Sequence, residues 1–208
     1  MTLETELKFA DADHDALRRT LQSLAAECQG RVFEENAVFD TPDRRLRQAD
    51  VLLRLRVTAP LDGGGQGRAV LTLKRPPTGP VPPGVKVWDE SETLVADAGA
   101  MRAVLAGLGY AEAFRYEKVR ETWRLGEALV LLDTLPFGAF VEIEAARGVL
   151  FACADALELV PSPAGMATYH ALNREHRLRH GLPPDEGFVF APADRAAILA
   201  GRQPARQP

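Results

Sequence analysis

The chain has 208 residues, 46% of them hydrophobic and 26% charged, which suits one globular domain with a sizeable core. Its net charge of −4 excludes a global basic field that would draw nucleic acid. Cys28 and Cys153, its only cysteines, are too few for a disulfide framework or a structural zinc site.

Residues 3–9 alternate apolar and polar, as a half-buried strand does. Asp13 then caps a predicted helix carrying Leu17, Leu21 and Leu24 on one side and ended by Gly30. A strand over 31–40 closes at the turn Asp40-Thr41-Pro42-Asp43, and Val51 to Val57 is a second strong strand. The glycine-rich stretch 58–68 reads as a loop, Ala69 to Arg75 as a strand, and Pro76 to Gly84, with five prolines, as a loop outside any sheet. Val85 to Val95 is again strand-like. Asp97 caps a helix with Met101, Val104, Leu105 and Leu108, ended by Gly109. Strands at about 115–125, 128–133 and 139–146, helices at 148–158 and 165–180, and a short helix at 192–200 complete the pattern, with 201–208 a disordered tail. About eight strands with short connections predict a mainly antiparallel sheet that can close into a barrel, an α+β fold with helices packed outside. Residues 1–200 form one predicted domain.

The N-terminus, MTLETELKFA, lacks the basic and apolar regions of a signal peptide, and no apolar run approaches the ~18 residues of a membrane span, so a cytoplasmic protein without a membrane partner is expected. The strands carry an unusual pattern. Glu4, Glu6 and Lys8 stand two residues apart and share one strand face. Arg54 and Arg56, Thr72 and Lys74, Lys118 and Arg120, and Glu142 and Glu144 repeat this, with apolar residues opposite; Glu90 and Glu92 fit more weakly. One reading makes these the wet face of an ordinary sheet. Each strand, however, carries a pair of one chemical kind, which suits a lumen holding both a metal and a polyanion. Carboxylates are the hard oxygen donors that Mg²⁺ or Mn²⁺ prefers, and lysines and arginines neutralise phosphate charge. Phosphoryl transfer needs positioning and charge stabilisation more than a protein nucleophile. No competing Ser-His-Asp set, P-loop or zinc motif is present, and His14, His170, His176 and His180 read as surface or helix residues, not ligands.

These motifs resemble the CYTH, or triphosphate tunnel, family of metalloenzymes. Glu4-x-Glu6-x-Lys8 resembles its N-terminal ExExK signature. FDTPDRRLRQADVLLRLR (39–56), LTLK (71–74), KVRETW (118–123), LLDTLPFGAFVEIE (131–144) and Tyr169-x-x-Leu172 follow in the family's order. The resemblance implies an eight-stranded antiparallel tunnel. Glu4, Glu6, Glu142 and Glu144 resemble the metal-side acids, with Asp133 and Glu90 as further acids, and Mg²⁺ or Mn²⁺, two ions, as cofactor. Lys8, Arg54, Arg56, Lys74, Lys118 and Arg120 resemble the triphosphate-binding cations, and Glu4, Glu6 and Lys8 the catalytic set. A small triphosphate is the implied partner, with a homodimer open.

The resemblance implies several activities on one scaffold: hydrolysis of inorganic triphosphate, hydrolysis of thiamine triphosphate, and class IV adenylyl cyclase. Vertebrate thiamine triphosphatases carry a Trp where Leu52 stands, an aromatic contact leucine cannot replace, and a C-terminal Lys near the position of Gly165. No adenine-reading set is evident. The expectation is therefore a metal-dependent triphosphate hydrolase, with a cyclase or a non-catalytic polyphosphate- or nucleotide-binding module as alternatives.

Overall fold

The computed structural model describes residues 2–63, 66–80, 86–160 and 167–202, without the side chains of residues 2–4 and 86. Among the described residues, eight strands and six helices follow in the order β1 (Thr2–Ala10), α1 (His14–Ser23), β2 (Glu27–Asp40), α2 (Arg45–Gln48), β3 (Leu52–Pro60), β4 (Arg68–Arg75), β5 (Lys86–Val95), α3 (Ala98–Gly107), β6 (Ala111–Leu125), β7 (Ala128–Leu135), β8 (Gly138–Glu144), α4 (Arg147–Ala156), α5 (Tyr169–Arg179) and α6 (Pro192–Leu199). The strands close into one antiparallel barrel in the order β1-β5-β4-β3-β2-β6-β7-β8, as the pattern predicted. At one end β6 loses β7 as its neighbour, and the segment around Phe188 takes that edge: Glu117 N–H donates to Phe188 O at 2.9 Å.

Strand alternation sends one set of side chains outward and the other into the lumen. The outward set is the apolar one. Leu7, Trp123, Val130, Leu132, Val141 and Ile143 are buried beneath Leu17 and Leu21 of α1 and Leu150 and Cys153 of α4. Ala37, Phe39, Leu53 and Leu55 are covered by Leu105 of α3, and Phe33 and Val119 by Ile198 of α6. The hydrophobic core is thus a sleeve between barrel and helices. At roughly 25 cal/mol per Å² of apolar surface it supplies the main folding force, which leaves the lumen available for charge. No helix among the described residues is long and apolar enough to cross a membrane.

Several boundaries differ from the sequence pattern. α1 ends at Ser23, not Gly30: Ala26 N–H closes back on Leu21 O at 2.9 Å and Ala25 takes the left-handed turn (φ 53). Leu24 therefore leaves the buried stripe and is 40% exposed. Gly30 sits instead inside β2 at a bulge, with φ 113; a Cβ there would meet the Asp62 carboxylate at 3.1 Å. The short α2 was not foreseen; Asp40 builds it by accepting from the amides of Thr41, Leu46 and Arg47. β6 starts earlier than expected, and α5 starts at Tyr169. Residues 81–84 of the proline-rich loop, Gly165 and all but the first two residues of the predicted tail lie outside the described residues.

Candidate functional site

The inward set of side chains meets in one cavity of about 270 Å³. Its walls include Glu6 and Lys8 from β1, Arg54 and Arg56 from β3, Lys74 from β4, Glu90 from β5, Lys118 and Arg120 from β6, and Glu142 and Glu144 from β8. Ten of the twelve residues singled out from the sequence thus line the same space. The side chain of Glu4 lies outside the described residues. Asp133 is fully buried and stands behind the wall.

Register explains the convergence. Glu6 pairs with Glu144 and Lys8 with Glu142 across the β1–β8 ladder. Lys74 pairs with Glu90, and Thr72 with both Arg54 and Glu92. Carboxylate oxygens of Glu6, Glu142 and Glu144 lie within 4.8 Å of one another. Three hard, anionic donors converging at that spacing fit Mg²⁺ or Mn²⁺. Asp133 lies outside this cluster. It accepts from Lys118 Nζ (2.9 Å), from Arg120 Nε and Nη2 (2.7 and 2.6 Å) and from the Tyr169 hydroxyl (2.8 Å). Asp133 therefore aligns cations, and Tyr169 ties that alignment to α5.

Lys8 is paired as closely as these, and Arg54 and Arg56 more loosely. Lys8 Nζ is 2.8 Å from Glu142 and 4.1 Å above the Tyr169 ring, and Arg120 also bonds Glu142. Arg54 Nη1 donates to the Tyr116 hydroxyl at 3.2 Å and Nη2 to Thr72 Oγ1 at 3.2 Å; Arg56 Nη2 donates to Glu92 at 3.3 Å. Burial alone would depress Lys8, but Glu142 and Glu6 outweigh it and hold the ammonium above its ordinary pKa. Burial would likewise raise Glu142, but Lys8, Arg120 and Lys118 hold it well below the ordinary carboxylate value. These groups are charged at neutral pH.

Sequence reasoning missed several contributors. Glu34 and Asn36 of β2 face inward, both buried, beside the cations of β3 and β6. Trp88 and His170 line the cavity, His170 from the start of α5. His14 and His176 lie on helices as expected, and His180 caps α5. Among the described lumen side chains, six lysines and arginines face seven carboxylates: Glu6, Glu34, Glu90, Glu92, Asp133, Glu142 and Glu144. Without a further cation this lumen has no excess positive charge with which to hold a polyanion.

The CYTH domain profile matches residues 2–158. A Methanocaldococcus jannaschii protein, provisionally named an adenylate cyclase, is 26% identical over 143 residues, covering 68% of this chain and 76% of the relative. Among solved structures, a provisionally named adenylate cyclase from Vibrio parahaemolyticus superposes with a TM-score of 0.69 at 24% identity, covering 83% of this chain and 98% of the other. A Hippeastrum protein, named as an adenylyl cyclase but described as having a dominant triphosphatase activity, has a TM-score of 0.58 at 18% identity, covering 88% and 98%.

Proposed function

The chain belongs to the CYTH family, and from that premise we propose that it is a metal-dependent hydrolase of a small triphosphate held in the barrel lumen. One observation carries the reading: an acid cluster of Glu6, Glu142 and Glu144 and a set of six cations share one cavity. A pure anion binder has no use for the acids, and a pure metal site has no use for the cations.

Lys8, Arg54, Arg56, Lys74, Lys118 and Arg120 bind the phosphate oxygens, the arginines with planar two-pronged geometry. Asp133 holds Lys118 and Arg120 in fixed directions, so little reorganisation accompanies the reaction. Glu6, Glu142 and Glu144 hold the metal, and Glu4 is assigned to the same group on its motif. Bound Mg²⁺ or Mn²⁺ supplies neutralisation of phosphate charge and polarisation of the attacked phosphorus. Water attacks the terminal phosphorus, and the leaving phosphate chain stays on the cations until release. A cavity of about 270 Å³ has room for a phosphate chain among these cations.

The cyclase names of the Methanocaldococcus and Vibrio proteins support a second reading. There the ribose 3′-hydroxyl attacks the α-phosphorus and pyrophosphate leaves. Incubation of the pure protein with tripolyphosphate, thiamine triphosphate or ATP, each with Mg²⁺ and with Mn²⁺, separates the two. Orthophosphate is the expected product; cyclic AMP with pyrophosphate would replace the hydrolase reading by the cyclase one. Retained binding without any product would leave only a binding module.

A further inference from the structure

Glu34 is not part of any paired-charge motif, yet it stands at the centre of the clamp. It is buried, with 3% of its surface exposed, and does not line the cavity. Its carboxylate lies 3.7 Å from Lys118 Nζ and 3.9 Å from Arg56 Nη1, and Arg120 and Arg54 also act on it. All four of those cations do line the cavity. Glu34 Oε2 has no hydrogen-bond partner among the described residues. Its neighbour Glu35 points to the other side of β2, toward Arg102, Arg115 and Arg195. A carboxylate used for architecture would be hydrogen-bonded as Asp133 is. Glu34 instead contributes charge without directed bonds, from behind the cations that face the ligand.

We propose that Glu34 is a positioning residue, a fixed counter-carboxylate behind the cation clamp that limits how tightly both the polyphosphate substrate and, to a smaller degree, its shorter product are held. The inference rests on the reading of the lumen as a polyphosphate clamp. The physics is additive Coulomb repulsion between one buried negative charge and each charge on the ligand. Screening by salt is weak in an enclosed lumen. The penalty therefore grows with ligand charge, and is larger for tripolyphosphate than for pyrophosphate. Burial opposes ionisation, but the surrounding cations overcome it and hold Glu34 at about 2, so the charge is present throughout the working range. Glu34 does not line the cavity, so its field reaches a ligand from behind Arg56 and Lys118.

The test is calorimetric titration of the full chain, parent and Glu34→Gln, with tripolyphosphate and with pyrophosphate, in metal-free buffer and with Ca²⁺. Glu34→Gln is expected to tighten tripolyphosphate binding about tenfold and pyrophosphate binding by less, in both buffers. In turnover with Mg²⁺, KM and kcat are expected to fall together as product release slows. A role confined to holding the barrel together would lower the denaturation midpoint and leave the ratio of the two affinities unchanged. Unchanged or weaker tripolyphosphate binding by a folded variant overturns the proposal. Should Glu34→Gln fail to fold, Glu34→Asp draws the charge back by one methylene. It is expected to tighten tripolyphosphate two- to threefold, and no gain there overturns the proposal equally. A parent protein that binds neither ligand, with or without metal, would instead sink the clamp reading on which it rests.

Discussion

The two sides of the lumen are built on opposite terms. On the side formed by β1, β7 and β8, with the inner residues of β6, the charges are saturated. Asp133 alone accepts four hydrogen bonds, from Lys118, Arg120 and Tyr169, while Glu142 takes Lys8 and Arg120. On the side formed by β2 and β3 they are not. Among the described residues, the buried side-chain polar atoms without a partner are Glu34 Oε2, both amide atoms of Asn36, Arg54 Nε and Arg56 Nε, all on those two neighbouring strands. Leaving a buried donor or acceptor unpaired costs about 1–3 kcal/mol each. A satisfied network fixes geometry, whereas an unsatisfied one holds groups ready for something that arrives later. The saturated side is therefore the rigid frame of the site and the β2–β3 side its adaptable half.

Asp133→Ala should give the largest effect. It would strand Lys118, Arg120 and the Tyr169 hydroxyl without their shared acceptor in a buried setting. Breaking a buried ion pair from one side costs about 3–5 kcal/mol. Denaturant unfolding should show a loss of that order, with the transition slope unchanged if the barrel still unfolds as a unit. A loss under about 1 kcal/mol would mean that the network on this side is ornamental and the contrast false.

Next come two substitutions within the site that should separate chemistry from affinity. Glu144→Gln keeps the shape and removes an anionic donor of the acid cluster. Metal-dependent turnover is expected to drop at least tenfold in a folded protein. Arg56→Ala, on the adaptable side, is expected to weaken tripolyphosphate binding about tenfold, in line with roughly 1.5–3 kcal/mol for a hydrogen bond to a charged group. Activity of Glu144→Gln within twofold of the parent would reject its role as a ligand. Unchanged tripolyphosphate affinity in Arg56→Ala, read by calorimetry, would move the clamp to other residues.

The frame was easier to read from the sequence than the adaptable half, for a physical reason. Strand parity sends residues two apart to one face, so same-kind pairs such as Lys118 and Arg120, or Glu142 and Glu144, announce the lumen by themselves. β2 carries no such pair. Glu34 and Glu35 are adjacent and mask the alternation that Phe33, Ala37 and Phe39 on the outer face would otherwise reveal. Counting Glu34, Asn36 and Val38 as the opposite face would have found the missing residues. The partners of Asp133 could not be found that way: two come from another strand and one from a helix 36 residues on. The family resemblance placed it among the further acids, whereas its contacts are with Lys118, Arg120 and the Tyr169 hydroxyl. The left-handed Ala25 that ends α1 was equally hidden, because propensity favours glycine at such a turn.

His170 lines the cavity from α5, and its protonation should lower stability. Its ring packs edge-on to Phe114 and Tyr116, at centroid distances of 4.8 and 5.1 Å, and its Nδ1 lies 3.2 Å from Glu186 O. Burial, then Lys8, Arg47, Arg174 and Arg54, push it down to about 4 from an ordinary 6.5. The sign follows from linkage. Between those values the unfolded chain binds the proton and the folded one does not, so this contribution is complete above pH 6.5 and is lost as pH falls toward 4. The expected loss is roughly 3 kcal/mol by pH 4. Glu34 titrates lower: its contribution is complete above 4.5 and is lost as pH falls through about 2. In His170→Phe, which keeps a ring in the aromatic cluster, denaturation between pH 6.5 and 4 should be flatter than in the parent. An equally steep loss in both would assign the acid sensitivity to other groups.

Asn36→Leu should give the smallest effect, and its smallness is the point. Asn36 is fully buried, registers between Arg56 and Tyr116, and has neither amide atom paired among the described residues. Removing a satisfied buried polar group costs stability, but removing an unsatisfied one relieves a penalty already present in the fold. Against that relief stands the branched leucine, whose shape costs up to about 1.5 kcal/mol when the surroundings cannot adjust. The two nearly cancel, so unfolding free energy is expected to stay within about 1 kcal/mol of the parent, on either side. That is a fraction of the loss expected for Asp133→Ala on the facing wall. A cost of 3 kcal/mol or more would mean that Asn36 is satisfied in solution by ordered water. The β2–β3 wall would then be a hydrated frame as fixed as the other, not an adaptable half.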